Sequence, residues 1–228
     1  MIKDKRIMIL ILVFIIIIIT SIYLVSRKNY NYTKLLDNKE LNIVYDKVNT
    51  TKDKVPFINI NNKVINDINE DINSVYENYL IFSPDGFTYN YSVSDNILSI
   101  IITAHLIHPE STHYDIMYKS YNIDLEKMKL LTNEEILKKY NISEEKMEFY
   151  LYNKFLNYYN DLIEKKYFSE KQCDFETFLE NKNIDNILDD NNYFINNNHL
   201  ELYKYFNIFT DYKEEDYFNE ESFHFIIT

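Results

Sequence analysis

Between Ile7 and Val25 lie 19 consecutive residues without a charge, relieved only by the small polar pair Thr20 and Ser21. At about 1.5 Å per residue, a helix of that length spans roughly 28 Å, which matches the hydrocarbon core of a bilayer. The block Ile15–Ile19 adds to the insertion energy, and no buried charge offsets it. This feature constrains the chain most. It predicts one transmembrane helix in contact with lipid, with the rest of the 228 residues forming a polar body behind it.

A cleaved secretory signal has an apolar core of about 7 to 15 residues followed by small residues at the cut site. Here the core is longer, and its exit, Ser21-Ile-Tyr-Leu-Val-Ser-Arg27, is bulky. The one cysteine, Cys173, is too distant for a lipidated signal and excludes an internal disulfide. The expectation is therefore an uncleaved signal anchor over 7–25 behind a short cytoplasmic tail, 1–6. A stalk over 26–54 and an extracytoplasmic domain over 55–228 follow. Lys3, Lys5 and Arg6 precede the span, but Arg27, Lys28 and Lys34 follow it, so positive charge alone does not fix the orientation. A long following domain crosses largely regardless of charge, which permits the outside placement.

Leaving out Lys3, Lys5 and Arg6 from the 24 basic residues, and Asp4 from the 36 acidic ones, leaves 21 against 35 behind the span, a net charge of −14. Such a surface repels phosphate backbones, which excludes nucleic acid as a partner and favours basic proteins. The chain holds 22 tyrosines and one glycine, a bias that AT-rich codons produce. Asparagine is expected to take over glycine's role at left-handed turns.

Apolar alternation begins at Leu41-Asn-Ile-Val-Tyr45 and strengthens at Val55-Pro-Phe-Ile-Asn-Ile60, with Pro56 marking an edge or a strand start. Val64, Ile65, Ile68, Ile72, Val75, Tyr76 and Tyr79 recur at helical spacing, predicting a helix over Lys63–Leu80 capped by Asn61 or Asn62. Pro84-Asp-Gly86 reads as a turn. Strands are predicted over Phe87–Val93, Ile97–Ile107 and His113–Ile123, joined by a tight turn at Ser94-Asp-Asn96 and a longer loop at His108–Thr112. Thr132-Asn-Glu-Glu135 is a capping box ahead of a short helix, Glu134–Tyr140. After Ser143 a long helix buries Met147, Leu151, Phe155, Tyr158 and Leu162, and another opens at Asp174. Tyr193–Ile195, Leu200–Phe209 and Phe223–Ile227 read as closing strands. The order predicts an α+β fold, an antiparallel meander with helices packed on one face.

Phosphate-cradling loops, dinucleotide fingerprints and serine elbows need several clustered glycines, and Gly86 stands alone. No catalytic residue and no cofactor is assigned. His105, His108, Glu110 and His113 are the remaining cluster, and imidazoles plus a carboxylate suit zinc. A metal-assisted envelope hydrolase is thus the alternative function, although His105 and His108 point to opposite faces of a strand. The acidic tail Asp211–Asp216 lacks the glycine of a calcium loop.

Three stretches together carry a resemblance. They are the helix after Val55-Pro-Phe-Ile-Asn-Ile60, then Tyr89-Asn-Tyr-Ser-Val with Ile97-Leu-Ser-Ile100, and then Tyr121-Asn-Ile-Asp-Leu-Glu126 with Leu130-Leu-Thr-Asn-Glu-Glu-Ile136. Over 50–228, and most strongly over 87–140, the chain resembles the extracytoplasmic domain of lysozyme-responsive anti-sigma factors of the RsiV type. A similar domain precedes the catalytic part of some peptidoglycan deacetylases. Where that family often carries Gly-Gly-Ala-His-Gly, this chain reads Glu110-Ser-Thr-His-Tyr114 and keeps only His113. The resemblance implies a sensory or binding module behind a signal anchor, at the cell membrane, with Glu110, His113 and Tyr114 as candidate binding residues. Its ligand would be a cell-wall component or a basic protein such as a lysozyme. Met1–Arg6 is too short to hold a sigma factor, and no catalytic domain is expected after residue 228. A structural partner subunit of an envelope complex is a further alternative.

Overall fold

The computed structural model describes residues 43–82, 84–107, 114–166, 169–171, 173–180, 191–210 and 217–227. The predicted span over 7–25 lies outside them. Among the described residues, no helix is long and apolar enough to cross a membrane. The elements are β1 (Val44–Asn49), β2 (Lys54–Ile58), α1 (Lys63–Ile81), β3 (Pro84–Ser94), β4 (Ile97–Ile107), β5 (Tyr114–Asp124) and β6 (Lys129–Leu130). Then follow α2 (Asn133–Lys139), α3 (Glu144–Glu164), α4 (Phe175–Glu180), β7 (Asn192–Asn196), β8 (His199–Thr210) and β9 (Tyr217–Ile226). The fold is α+β with antiparallel sheets.

β3 to β6 form the predicted meander in sequence order. Asp95 and Asn96, at φ 49° and 62°, make the two-residue turn between β3 and β4, and Asn197 and Asn198, at 48° and 68°, do the same between β7 and β8. Two positive φ values in succession match the twist of a hairpin, and three asparagines and Asp95 supply them here in place of glycine. Pro84-Asp-Gly86 is not a turn. Pro84 already faces Leu106, and the register slips before Gly86 meets His105. Gly86 takes φ +142°, and its N–H donates to the Tyr79 hydroxyl at 2.6 Å, so the tripeptide is a bulged strand start.

Asn62 caps α1 by accepting from the Val64 N–H at 2.8 Å. The helix lays Ile65, Ile68, Ile72 and Tyr79 against Leu98, Ile100, Ile102 and Ala104 of β4. Each of these isoleucines, at most 5% exposed, contributes about 1.5–3 kcal/mol. The β1–β2 hairpin closes the same core with Val44, Val55 and Ile58. The folded body thus includes residues 43–54, which the sequence assigned to the stalk. Asp53 anchors the hairpin. Its carboxylate accepts from the hydroxyls of Tyr76 and Tyr79, each at 3.2 Å, and from the Phe87 N–H at 3.1 Å. Burial, and less so the charge of Asp53, push the Tyr79 phenol up to about 12, and the hydrogen bond from Gly86 opposes this in part.

The expectation of helices on one face needs correction. Residues alternate along a strand, so Ile97, Ser99 and Ile101 face away from α1. That second face of the meander carries a three-stranded sheet, β7-β8-β9, and α2 and α3 pack there with Ile97. A strand edge laid against a sheet face needs its main-chain groups satisfied. Side chains do this here. Ser99 Oγ accepts from the Ile195 N–H at 2.9 Å, Ser92 Oγ donates to the Ile195 carbonyl, and Asn122 Nδ2 donates to the Tyr193 carbonyl at 2.8 Å. Ser99 also donates to Asn122 Oδ1 at 2.6 Å.

Candidate functional site

α2 begins in the predicted capping box, with Thr132 accepting from the Glu135 N–H and Glu135 accepting from the Thr132 N–H. It ends where Asn141 enters the left-handed region at φ 56°. The Asn141 N–H then donates to Lys138 O at 3.1 Å, and the Ile142 N–H to Leu137 O at 2.9 Å. This paired closure folds Ile142 back against Leu137. Ser143 at once caps α3, accepting from the Lys146 N–H at 3.2 Å. Two helices therefore meet across only a few residues.

Beside this corner the structure opens a groove of about 470 Å³. Ile142 and Met147 form its apolar base, with Ile227 contributed from just past β9. Ile227 is fixed there because its N–H donates to the Leu200 carbonyl at 2.8 Å. Tyr140, Tyr150, Asn153 and Asn157 add polar groups, and Lys146 and Lys154 supply two cations. Lys154 lies over the Tyr150 ring, 5.4 Å from its centre. The Asn153 side-chain amide donates from Nδ2 to the Phe149 carbonyl at 2.7 Å. Burial, then the Asp95 carboxylate, hold the Tyr140 phenol above its usual range, so it is a neutral donor at physiological pH.

Phe149 is 70% exposed at the groove, and Tyr152 nearby on α3 is 44% exposed. Tyr152 packs edge-on against Phe175 of α4, ring centres 5.1 Å apart, which leaves Phe149 as the large apolar side chain of α3 most open to water. Among the described residues, the lining contains no carboxylate, histidine or cysteine. What the lining offers is an apolar base, the hydroxyl and amide groups of Tyr140, Tyr150, Asn153 and Asn157, and two ammonium groups.

The histidine cluster meets the structure only in part. His105 sits half-buried on β4, opposite Gly86 and Ile116. His108, Glu110 and His113 lie outside the described residues. Tyr114 opens β5 facing Ile107, and its side chain is likewise outside them. Among the described residues no three His, Cys, Asp or Glu side chains come close enough to hold a metal ion. The acidic run 211–216 also falls outside. Cys173 is buried, and its main chain accepts from the Tyr159 hydroxyl at 2.7 Å, which makes it part of the α3–α4 packing.

Sequence reasoning missed Phe149 and Lys146. One signal was present: Phe149 falls off the helical stripe of Met147, Leu151, Phe155 and Leu162, and an aromatic outside a buried stripe needs another partner. No family model matches the chain, and neither does any curated protein or solved structure.

Proposed function

We propose that the chain is a membrane-anchored, extracytoplasmic binding module that holds a cell-wall fragment in the groove beside α2 and α3 and performs no catalysis. The observation that carries this reading is the groove itself: an apolar base, an exposed Phe149 and two lysines in a chain whose net charge is −12. Lysines placed there in an acidic protein favour an anionic ligand. Small apolar side chains and carboxylates along one short molecule, as in the peptide stems of a cell wall, complement that lining. The anchor Ile7–Val25, read from the sequence, would keep such a module within reach of the wall.

Isothermal titration of the protein with a short wall peptide carrying two carboxylates tests the reading. Phe149→Ala and Lys146→Glu, both at exposed positions, should each weaken binding at least tenfold without lowering the melting temperature. Absence of binding by the unaltered protein, or unaltered affinity in either variant, overturns it.

The net charge of −14 behind the span supports a second reading, in which a basic protein such as a lysozyme is the partner. Complementary charge would speed its association and make the rate fall steeply with salt. Lysozyme binding that is absent at low salt, or independent of salt, removes that reading.

A further inference from the structure

A second groove lies on the opposite side of the meander, between α1 and the β1–β2 hairpin. Its helix wall is a polar stripe, Asn66, Asn69, Glu70 and Asn73, at spacings of three and four that place all four on one face. Its other wall is Lys47 and Phe57, and the space between holds about 370 Å³. Small-molecule sites start at about 300 Å³, so this is room for a small ligand or one end of a chain.

Two of the amides are committed to building the groove. Asn69 accepts from the Ile58 N–H at 2.9 Å and donates to the Ile58 carbonyl at 3.0 Å, clamping β2 to the helix. Asn73 accepts from Lys47 Nζ at 2.6 Å and donates to Glu77 at 2.6 Å. Asn66 and Glu70 are both exposed, and among the described residues neither side chain has a hydrogen-bond partner in the protein, the Asn66 main-chain N–H going to the Asn62 carbonyl at 2.9 Å. They sit on a wall whose neighbours are already fixed. Phe57 is half-buried and packs on Tyr45, ring centres 5.1 Å apart, so the aromatic face at the groove is held in place.

The charges narrow the ligand class. One cation, Lys47, and one anion, Glu70, leave the groove without net charge, so it selects neither polyanions nor polycations. What remains is an aromatic ring beside an amide that both donates and accepts and a carboxylate that accepts. Pyranose sugars present that complement, with C–H groups on one face for a ring and hydroxyls and amides at the rim. We propose that this groove binds a neutral glycan, the N-acetylated sugar chain being the form whose amides and hydroxyls match it best. The site is separate from the α2–α3 groove and does not depend on the reading of that groove.

The test is isothermal titration of the full chain in detergent micelles with chitotetraose, the tetramer of N-acetylglucosamine. Maltotetraose and an uncharged tetrapeptide serve as comparison ligands. Chitotetraose should bind. The double variant Asn66→Ala/Glu70→Ala should lose at least tenfold in affinity with an unchanged melting temperature. Phe57→Leu, which keeps apolar bulk but removes the ring face, should weaken binding as well. No heat with chitotetraose, binding indifferent to these variants, or preference for the tetrapeptide overturns the proposal. Phe149→Ala should leave chitotetraose binding intact, so failure here is distinguishable from failure at the other groove.

Discussion

Ser99→Ala removes one hydroxyl from the middle of the protein, and its effect can be worked from the contacts. Ser99 is 0% exposed, Asn122 3% and Ile195 0%. The serine accepts from the Ile195 N–H at 2.9 Å and donates to Asn122 Oδ1 at 2.6 Å. Alanine leaves the N–H without an acceptor in a place that water does not reach, at about 1–3 kcal/mol. It also leaves the amide oxygen without its donor, for about 1 kcal/mol more. Relief of the serine's own desolvation offsets part of this, so the net loss should be about 1.5–3 kcal/mol. A domain of this size has about 5–15 kcal/mol of stability, so the change is large. Urea unfolding, followed by circular dichroism and tyrosine fluorescence, should show a lower midpoint with an unchanged slope. Ser92→Ala, at a half-buried position serving the Ile195 carbonyl, should cost less, about 1 kcal/mol. A loss below about 0.5 kcal/mol for Ser99→Ala would refute the view that buried side chains satisfy the β7 edge.

At Asp53, alanine strands the Phe87 N–H and two tyrosine hydroxyls and should cost about 3–5 kcal/mol, whereas Asp53→Asn keeps an acceptor and should cost about 1 kcal/mol. Equal, small losses in urea titrations of the two variants would contradict the hub. Burial pushes Tyr79 and Tyr193 up to about 12, and raises Tyr121 with help from Asp71, so these phenols ionise more readily in the unfolded chain, near pH 10. Their contribution is complete below pH 10 and is lost as pH climbs towards 12, by about 1.4 kcal/mol per pH unit for each group. A melting temperature flat from pH 9 to 12 would exclude this. Zinc at equimolar concentration should leave the melting temperature of the purified protein unchanged; a rise of several degrees would favour the hydrolase alternative at His105, His108, Glu110 and His113.

Local chemistry carried most of the fold into the sequence. The stripe Met147, Leu151, Phe155, Tyr158 and Leu162 is buried on α3, the capping box forms at Thr132, and among the described residues asparagine occupies four of the seven positive-φ positions outside glycine. Each depends on residues within a few positions of one another. The second sheet was less legible, because its contact with the meander runs through Ser92, Ser99 and Asn122, whose side chains substitute for a strand partner. The near-continuous apolar run Ile97–Ile107, in which Leu98, Ile100, Ile101 and Ile102 are all buried, was the available sign of a strand covered on both faces. Gly86 misled in the other direction: Pro-Asp-Gly favours a turn locally, but the Tyr79 hydroxyl and the pairing with His105 draw it into β3. Both grooves join residues far apart in the chain, Ile142 with Ile227 and Lys47 with Asn73, and spacing cannot register such meetings.

The most direct measurement places a photo-crosslinking amino acid at position 149 of the full chain and irradiates intact cells. Material joined to the protein should be released by a wall-digesting muramidase and carry wall peptide. Crosslinks confined to cytoplasmic proteins, or none to wall material, would contradict an anchored module that meets the wall through the α2–α3 groove.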